Sequence, residues 1–380
     1  MAESDSDDDS YFEQLAKAAA GLDEDPDGGL DDAKVPEAAN EEEYYSRVAE
    51  AGASSNAIAS ESGMVWQQFM KESIEYRYVQ GDLNELPKTS FADNMLLVDW
   101  LFSQLPFSSS LFHLAKGVAN AANGDYTAIS KEELKKYTLY VDDITAITIA
   151  VLIRVKPGDI SCCLHTSNDV IDFKYASILA KRLKELSIAN EHRKICYMAL
   201  CAQHLETITR AMDAVGSRRK WKEPAVLYSL HAGSSDMQRC KSSLPDGYTI
   251  GSLDLDDAQI INDTWKYQSD HSLQMVESMI TKMPCAGVRD EKGKLCAWCL
   301  CYTGDCSIGM AFTLQDHRSK GLAKATAARC ISRFIDRKEG SSPFCYIVNG
   351  NEPSVRVFQD YLGFEKVTET FWAGFSAFKK

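Results

Sequence analysis

Leu314-Gln315-Asp316-His317-Arg318-Ser319-Lys320-Gly321-Leu322-Ala323-Lys324 joins a run of strand character, Cys306 to Leu314, to a long helical run that ends at Gly340. The pattern Arg318-x-x-Gly321-x-Ala323 therefore falls where a helix begins. The first turn of a helix carries unpaired N–H groups and a partial positive charge, and a glycine there lets the backbone come close to an anion. Together these features make a site for a pyrophosphate, and Arg318, Lys320 and Lys324 add positive charge nearby. Apolar steps at Ala327, Ala328, Ile331, Phe334 and Ile335 anchor the helix to a sheet. An ordinary basic helix start with a glycine turn reads the same way, so the surrounding order of elements decides.

Upstream, Tyr248 to Leu253 reads as a strand, and Asp254 starts a helix with Asp257 as a capping-box-like partner. Ile260, Ile261 and Trp265 step along that helix. Ser272 to Met283 is a second helix, stopped by Pro284. Cys285 to Arg289 and Leu295 to Tyr302 form a hairpin around Asp290-Glu291-Lys292-Gly293. Downstream come a strand at Phe344 to Val348, a helix at Pro353 to Leu362 and a closing strand at Phe364 to Phe375.

A Ser-, Gly- and Lys-rich linker, 232–246, separates this run from an earlier one. The earlier run has helices at Met64 to Tyr78 and at Asp93 to Leu105, the latter stopped by Pro106. Strands follow at Ser110 to Val118, Ile144 to Val155 and Ile160 to His165. Then come a helix at Asp169 to Leu186, a strand at Lys194 to Leu200, a helix at His204 to Val215 and a strand at Ala225 to Leu230. Two successive α/β layers are expected.

The chain has 380 residues, enough for two domains with extra segments. Its net charge of −14 is carried by residues 1–50, with 17 acids against 3 bases, so the remainder is balanced. A balanced body lacks the concentrated positive face that nucleic acid requires. Residues 1–60 are too polar to offset ordering and are expected to form a disordered acidic tail. The start, MAESDSDDDS, has neither the basic and apolar regions of a secretory signal nor the Arg-rich character of a mitochondrial presequence. No run is apolar enough to span a bilayer. The 12 cysteines are expected as reduced thiols in a cytoplasmic protein. Cys296, Cys299, Cys301 and Cys306 include a CxxC, but on a strand Cys296 points away from Cys299 and Cys301, and no metal is expected there.

Several of these residues carry a family resemblance. Arg318-x-x-Gly321-x-Ala323 resembles motif A of the GNAT acyltransferases. Asn351-Glu352-Pro353-Ser354, followed by Tyr361-Leu362-Gly363-Phe364-Glu365, resembles motif B. The likeness runs in order over residues 246–375. Within that superfamily, several segments look like those of the glycine N-acyltransferases: Ile250-Gly251-Ser252-Leu253-Asp254, Ile260-Ile261-Asn262-Asp263-Thr264-Trp265, Gly293-Lys294-Leu295-Cys296-Ala297-Trp298, and Gly309-Met310-Ala311-Phe312-Thr313-Leu314-Gln315-Asp316-His317-Arg318. The resemblance implies an α/β (α+β) protein of tandem GNAT-like halves, with a mixed central sheet flanked by helices. The expected organisation is a tail at 1–60, a degenerate first half at 61–231, a linker at 232–246 and a catalytic half at 247–380.

The same resemblance implies transfer of an acyl group from acyl-CoA to a small amine or amino acid, with glycine favoured and neither nucleic acid nor membrane as partner; it also implies a mitochondrial location as the alternative to the cytoplasmic one. Ala311, Phe312, Thr313 and Leu314 would line the pantetheine arm. Arg318, Ser319, Lys320, Gly321, Leu322, Ala323 and Lys324 would take the pyrophosphate, with Asn351, Ser354 and Phe358 as further coenzyme contacts. Local alignment puts Asp270 at the family's proposed base, although as an N-cap before Ser272 it reads equally well; Glu277 and Asp316 are alternatives. Where many GNAT enzymes have a tyrosine to protonate the thiolate, this chain has Phe358, and Tyr361 either substitutes or only packs. Two other functions stay open, a GNAT acetyltransferase for another amine or a protein lysine, and a non-catalytic CoA-binding sensor or scaffold.

Overall fold

Strand pairing carries the architecture. A computed structural model describes residues 82–85, 91–125, 129–156, 158–191, 193–230, 244–269, 272–337, 341–376 and 378. All of them fall in one of two compact units, the one that includes Gln80–Lys380. The expected tail, the helix at Met64 to Tyr78, most of the linker, Asp270 and His271 lie outside the described residues.

The strands are β1 (Asn84–Glu85), β2 (Tyr137–Val141), β3 (Ile149–Val155), β4 (Asp159–Thr166), β5 (Lys194–Cys201), β6 (Arg219–Ser229), β7 (Thr249–Gly251), β8 (Cys285–Arg289), β9 (Leu295–Cys301), β10 (Ile308–Thr313), β11 (Phe344–Val348) and β12 (Glu365–Phe375). They form one mixed sheet in the order β1-β2-β3-β4-β5-β12-β6-β11-β10-β9-β8-β7. The main helices are α1 (Phe91–Ser103), α2 (Ser109–Ala122), α3 (Phe173–Ala189), α4 (Leu205–Ala214), α5 (Ala258–Thr264), α6 (Ser272–Lys282) and α7 (Leu322–Asp336). None of these is long and apolar enough to cross a membrane.

Each half repeats one plan, in which two parallel strands joined by a helix (β4-α3-β5 and β10-α7-β11) sit at the inner end of an antiparallel set. The halves then exchange their last strands. β6, from the first half, pairs with β11 of the second, and β12, from the second, pairs with β5 of the first. β6 and β12 also pair with each other along most of their length. The boundary at 232–246 is therefore a boundary along the chain but not across the sheet.

Side-chain alternation sorts the core into layers. Trp298 and Leu300 of β9 pack with Leu253, Ile261, Val276 and Met279 around α5 and α6. Cys299 and Cys301 pack on the opposite face with Ala327, Cys330, Ile331 and Phe334 of α7. The anticipated capping box is present: the Asp254 N–H donates to Asp257 Oδ2 at 2.8 Å, and the Asp254 side chain answers the backbone of Asp257. Arg289 forks onto Asp257 at 2.7 and 3.0 Å, fixing the helix start to β8.

Two expectations are corrected. Ser110 to Val118 is not a strand but part of α2, whose residues are buried on nearly every side. Ser109, His113, Lys116 and Asn120 do fall at helical spacing, but the short, mostly apolar run Leu111 to Leu114 reads equally as a strand, and tertiary packing decides. Ser110 Oγ of α2 donates to Asp305 Oδ2 at 2.8 Å and lies 2.8 Å from the Tyr346 hydroxyl. The expected strand from Ile144 begins only at Ile149, because the Asp142 carboxylate accepts the N–H groups of Thr148 and Ile149 and holds the preceding residues in a turn. The strand at Tyr137–Val141 lay outside the expectation.

Candidate active site

β10 and β11 run parallel, yet their register holds one aligned pair, Ile308 with Cys345. Beyond it the strands part. On its other edge β10 stays paired with β9, but the register shifts between Gly309 and Phe312. Met310 and Ala311 thus stand opposite the single Cys299, and Met310 takes a φ of 47°. This is a β-bulge, which bends the strand and re-aims its backbone. The sheet opens into a V here, and the β11-side backbone of β10 past Ile308 has no strand neighbour. Phe312 forms one wall, stacked on Trp298 with ring centroids 5.2 Å apart. The Thr313 hydroxyl is buried without a hydrogen-bond partner.

The loop after β10 closes the wide end of the V. Ser319 and Gly321 both have left-handed backbone, φ 59° and 74°, around Lys320. Backbone turned this way gathers successive N–H groups into a concave donor set. Gly321 is the N-cap of α7, and no side chain caps the helix. A Cβ built on Gly321 meets nothing within 4 Å, so the space over it is open. Arg318 Nε donates to the Thr313 carbonyl at 3.3 Å, and its guanidinium lies 5.9 Å from the Phe312 ring centroid. Lys320 Nζ donates to the Tyr248 hydroxyl at 3.0 Å and to the Asp316 carbonyl at 3.2 Å. Leu322 is buried against Val288, Cys296 and Ala297, which anchors the first turn. An exposed donor set, a cation-rich rim, an orphaned hydroxyl and an unpaired strand edge together fit a phosphorylated ligand with an extended polar arm.

Ala311, Phe312, Thr313, Leu314 and the run Arg318 to Lys324 therefore come together around one cleft. The other residues singled out from the sequence are dispersed. Asn351 Oδ1 accepts the Ser354 N–H at 3.3 Å, so this side chain serves as the cap of its own short helix. Phe358 is a correction: it is 3% exposed and packs edge-on against Phe364, inside the core beneath α7, where it cannot touch a ligand. Tyr361 is exposed, and Lys324 Nζ lies 5.4 Å from its ring centroid. That places its phenol near the first turn of α7, at the phosphate end of the cleft. Glu277 is half-buried on α6 beside the core residue Val276. Asp316 is exposed in the turn Gln315–His317.

The cysteines of β9 are separated. Cys299 and Cys301 lie beneath α7, with Cys301 Sγ 3.6 Å from Cys330 Sγ. Cys296 turns instead to His317, at 3.5 Å. Ligand atoms of Asp290, Cys296 and His317 lie within 4.8 Å of one another. Asp290 accepts the N–H groups of Lys292 and Lys294 and holds the hairpin turn, while His317 Nδ1 is 2.9 Å from the Tyr248 hydroxyl. These contacts account for the trio as a brace under the loop.

One acidic residue escaped the sequence reading. Glu223 lies on β6, is 6% exposed, and its Oε1 has no hydrogen-bond partner. Burial pushes its carboxyl above the ordinary range, and Lys266, in the loop between α5 and α6, pulls it back down. Only the strand register brings this residue of the first half to the end of β11, so no local motif could have marked it.

Among the described residues the first half also lets its parallel strands part, after Cys162 and Tyr197, but it lacks the equivalent donor loop. Ser167 to Asp172, the loop before α3, lacks both glycine and basic residues, and the α3 N-terminus is capped by Asp172, whose Oδ1 accepts the Lys174 N–H at 2.7 Å. The Ile171 N–H donates to His204 Nδ1 at 3.2 Å, pinning the loop shut.

Residues 286–373 match the FR47-like protein family. No curated protein matches the sequence. Among solved structures, a Drosophila protein determined by a structural genomics consortium is similar at a TM-score of 0.61 and 17% identity, over 77% of this chain and 97% of that one. A tandem GNAT protein from the clavulanic acid biosynthesis pathway is similar at a TM-score of 0.51 and 12% identity, over 79% of this chain and 99% of that one. Residues 286–373 are thus similar to an FR47-like, GNAT-type domain, and the strand order is that of a fold similar to the tandem GNAT protein.

Proposed function

We propose that the protein is an acyl-CoA-dependent N-acyltransferase whose acceptor is a small amine or amino acid, with glycine the first candidate. The observation that carries this reading is the conjunction of the β10/β11 V with the donor loop Arg318 to Gly321 at its mouth. The coenzyme ester, when bound, supplies an activated acyl group. The chain's contributions follow from position. N–H groups at the start of α7 and the rim of Arg318, Lys320 and Lys324 bind the phosphates. Backbone donors at the Met310–Ala311 bulge stand where negative charge develops on an acyl oxygen, and fixed donors at such a point supply much of the rate of acyl transfer. Apolar Phe312 and Trp298 keep water from the wall.

The test is release of free thiol from acetyl-, benzoyl- and longer acyl-CoA esters mixed with a panel of free amino acids. Acceptor-dependent release supports the transferase and identifies both substrates. The burial of Phe358 and the place of Tyr361 favour one second reading, a CoA-binding sensor without turnover. Coenzyme binding in a calorimeter with no thiol release from any pair would select it.

A further inference from the structure

Glu223 belongs to the half without the donor loop, yet its strand register carries it to the end of β11, at the mouth of the other half's V. Ala225 pairs with Val348, the last residue of β11, so Glu223 lies just past the end of that strand, where β10 and β11 have parted. It pairs with Trp372 of β12 on its other side. Tyr228 and Val226 pack beneath α7. By alternation Glu223 points to the opposite face, on which α2 touches Tyr346 and Phe344 and to which the loop between α5 and α6 brings Lys266. Ligand cradle and carboxylate are thus on two sides of one opening, with phosphate donors at the α7 start and an acid on the opposite face.

A carboxylate oxygen buried without a partner is costly, and in cores it is normally paired or replaced. Here the charge that answers it is Lys266. Burial of each group favours its neutral form and the charge of the other opposes that change. Trp372 stands beside it on β12, with Tyr346 of β11 5.0 Å from Trp372, ring centroid to centroid, and the Asp305 carboxylate reaches the same face through Ser110, which lies 2.8 Å from the Tyr346 hydroxyl. Lys222, its chain neighbour, points to the other face.

We infer that Glu223 accepts the proton of the incoming amine, so that the degenerate first half supplies the base for the second. The inference rests on reading the V as an acyl-transfer cleft. In proton terms the acceptor ammonium gives one proton to the Glu223 carboxylate, freeing the nitrogen lone pair. The C–N bond forms as the C–S bond breaks. The second nitrogen proton goes to the departing sulfur, and Glu223 returns its proton to solvent. The net products are an amide, a free thiol and one proton. Lys266 positions this chemistry by keeping the carboxylate ionised.

The test uses the full chain and compares Glu223→Gln, Glu223→Asp and Lys266→Met with the parent. With the acceptor found by thiol release, Glu223→Gln should lower kcat by about 100- to 1,000-fold. It should also abolish the acid limb of the kcat/KM pH profile, while the Kd for coenzyme A by calorimetry stays within about twofold. Glu223→Asp should keep the limb with reduced kcat, and Lys266→Met should move the limb to higher pH. A parent-like rate and limb in Glu223→Gln would overturn the assignment. Failure of the parent chain to bind coenzyme A would instead overturn the reading of the cleft, and with it this role.

A second measurement needs no turnover. A carboxyl raised by burial favours folding below its unfolded pKa and opposes it as pH rises through its folded pKa. Glu223→Gln should therefore melt at a higher temperature than the parent at pH 7, with the difference fading toward pH 4. Equal or lower melting at pH 7 would show that no buried charge stands there.

Discussion

At Gly321 the backbone takes φ 74°, with open space where a Cβ would go. Alanine there is disfavoured by the left-handed conformation alone, by about 1–2 kcal/mol. Gly321→Ala should therefore lower the melting temperature slightly. The added methyl also stands on the side open to ligand, so coenzyme A affinity should fall by more than the stability change accounts for. Ser319, at φ 59°, already bears such strain. Ser319→Gly should relieve it with binding intact, and a matched fall in both variants would show the loop to be structural only. Arg318 tests the electrostatic part. Its side chain is exposed, so Arg318→Glu should leave melting unchanged. Replacing a cation by an anion beside a phosphate should weaken coenzyme A about tenfold to a hundredfold in calorimetry; an unchanged Kd would remove the phosphate assignment.

At the scale of the element, the loop that opens α7 and the loop that opens α3 stand at equivalent points of the repeated plan and are built oppositely. The α3 loop is held by His204, 2% exposed, and beneath it His165 is 8% exposed and 5.6 Å from Trp100, ring centroid to centroid. Burial lowers both imidazoles to about 4. A histidine lowered from about 6.5 supports folding above that value and loses its contribution as pH falls toward the folded pKa, of the order of 3 kcal/mol apiece. The melting temperature should drop between pH 6.5 and 4, and His204→Gln, which can still accept the Ile171 N–H, should drop less over that window; parallel curves would exclude the imidazole as the cause. The same contrast explains what the sequence made readable. The α7 loop is legible because its chemistry sits in seven consecutive residues after a clear strand. The hairpin around Asp290 and the capping box at Asp254 are legible for the same local reason. α2 is not, because its short, mostly apolar run, Leu111 to Leu114, fits a strand as well as a helix and only tertiary packing decides. Glu223 and Lys266 are not, because what joins them is the pairing of β6 with β11 and a loop more than forty residues away.

At the scale of the whole molecule, the strand exchange makes the two halves one folding unit within the described residues. Remove the first half and β11 loses β6 from its edge, while β12 loses both of its partners, β5 and β6. An edge strand stripped in this way exposes a row of unpaired N–H and C=O groups. The seam is closely fitted as well. A Cβ on Gly374 of β12 would come within 1.9 Å of the Trp221 indole nitrogen on β6, and α2 reaches across to the second half through His113, whose Nε2 is 2.6 Å from Ser341 Oγ and whose ring stacks on Phe344 at 5.8 Å. A fragment of residues 247–380 contains the entire phosphate loop and the whole β10/β11 V, so a reading that treated it as a domain would expect it to bind coenzyme A alone. The topology argues otherwise: the isolated fragment should be unfolded or aggregated by circular dichroism and hydrodynamic size, and should bind no coenzyme. Co-expression with a separate fragment ending at residue 230 should restore a soluble pair, because the exchanged strands need each other and not a continuous chain between them. A well-folded, coenzyme-binding 247–380 fragment would mean that β12 can return to its own half, and that the exchange is one of two packings open to this sequence.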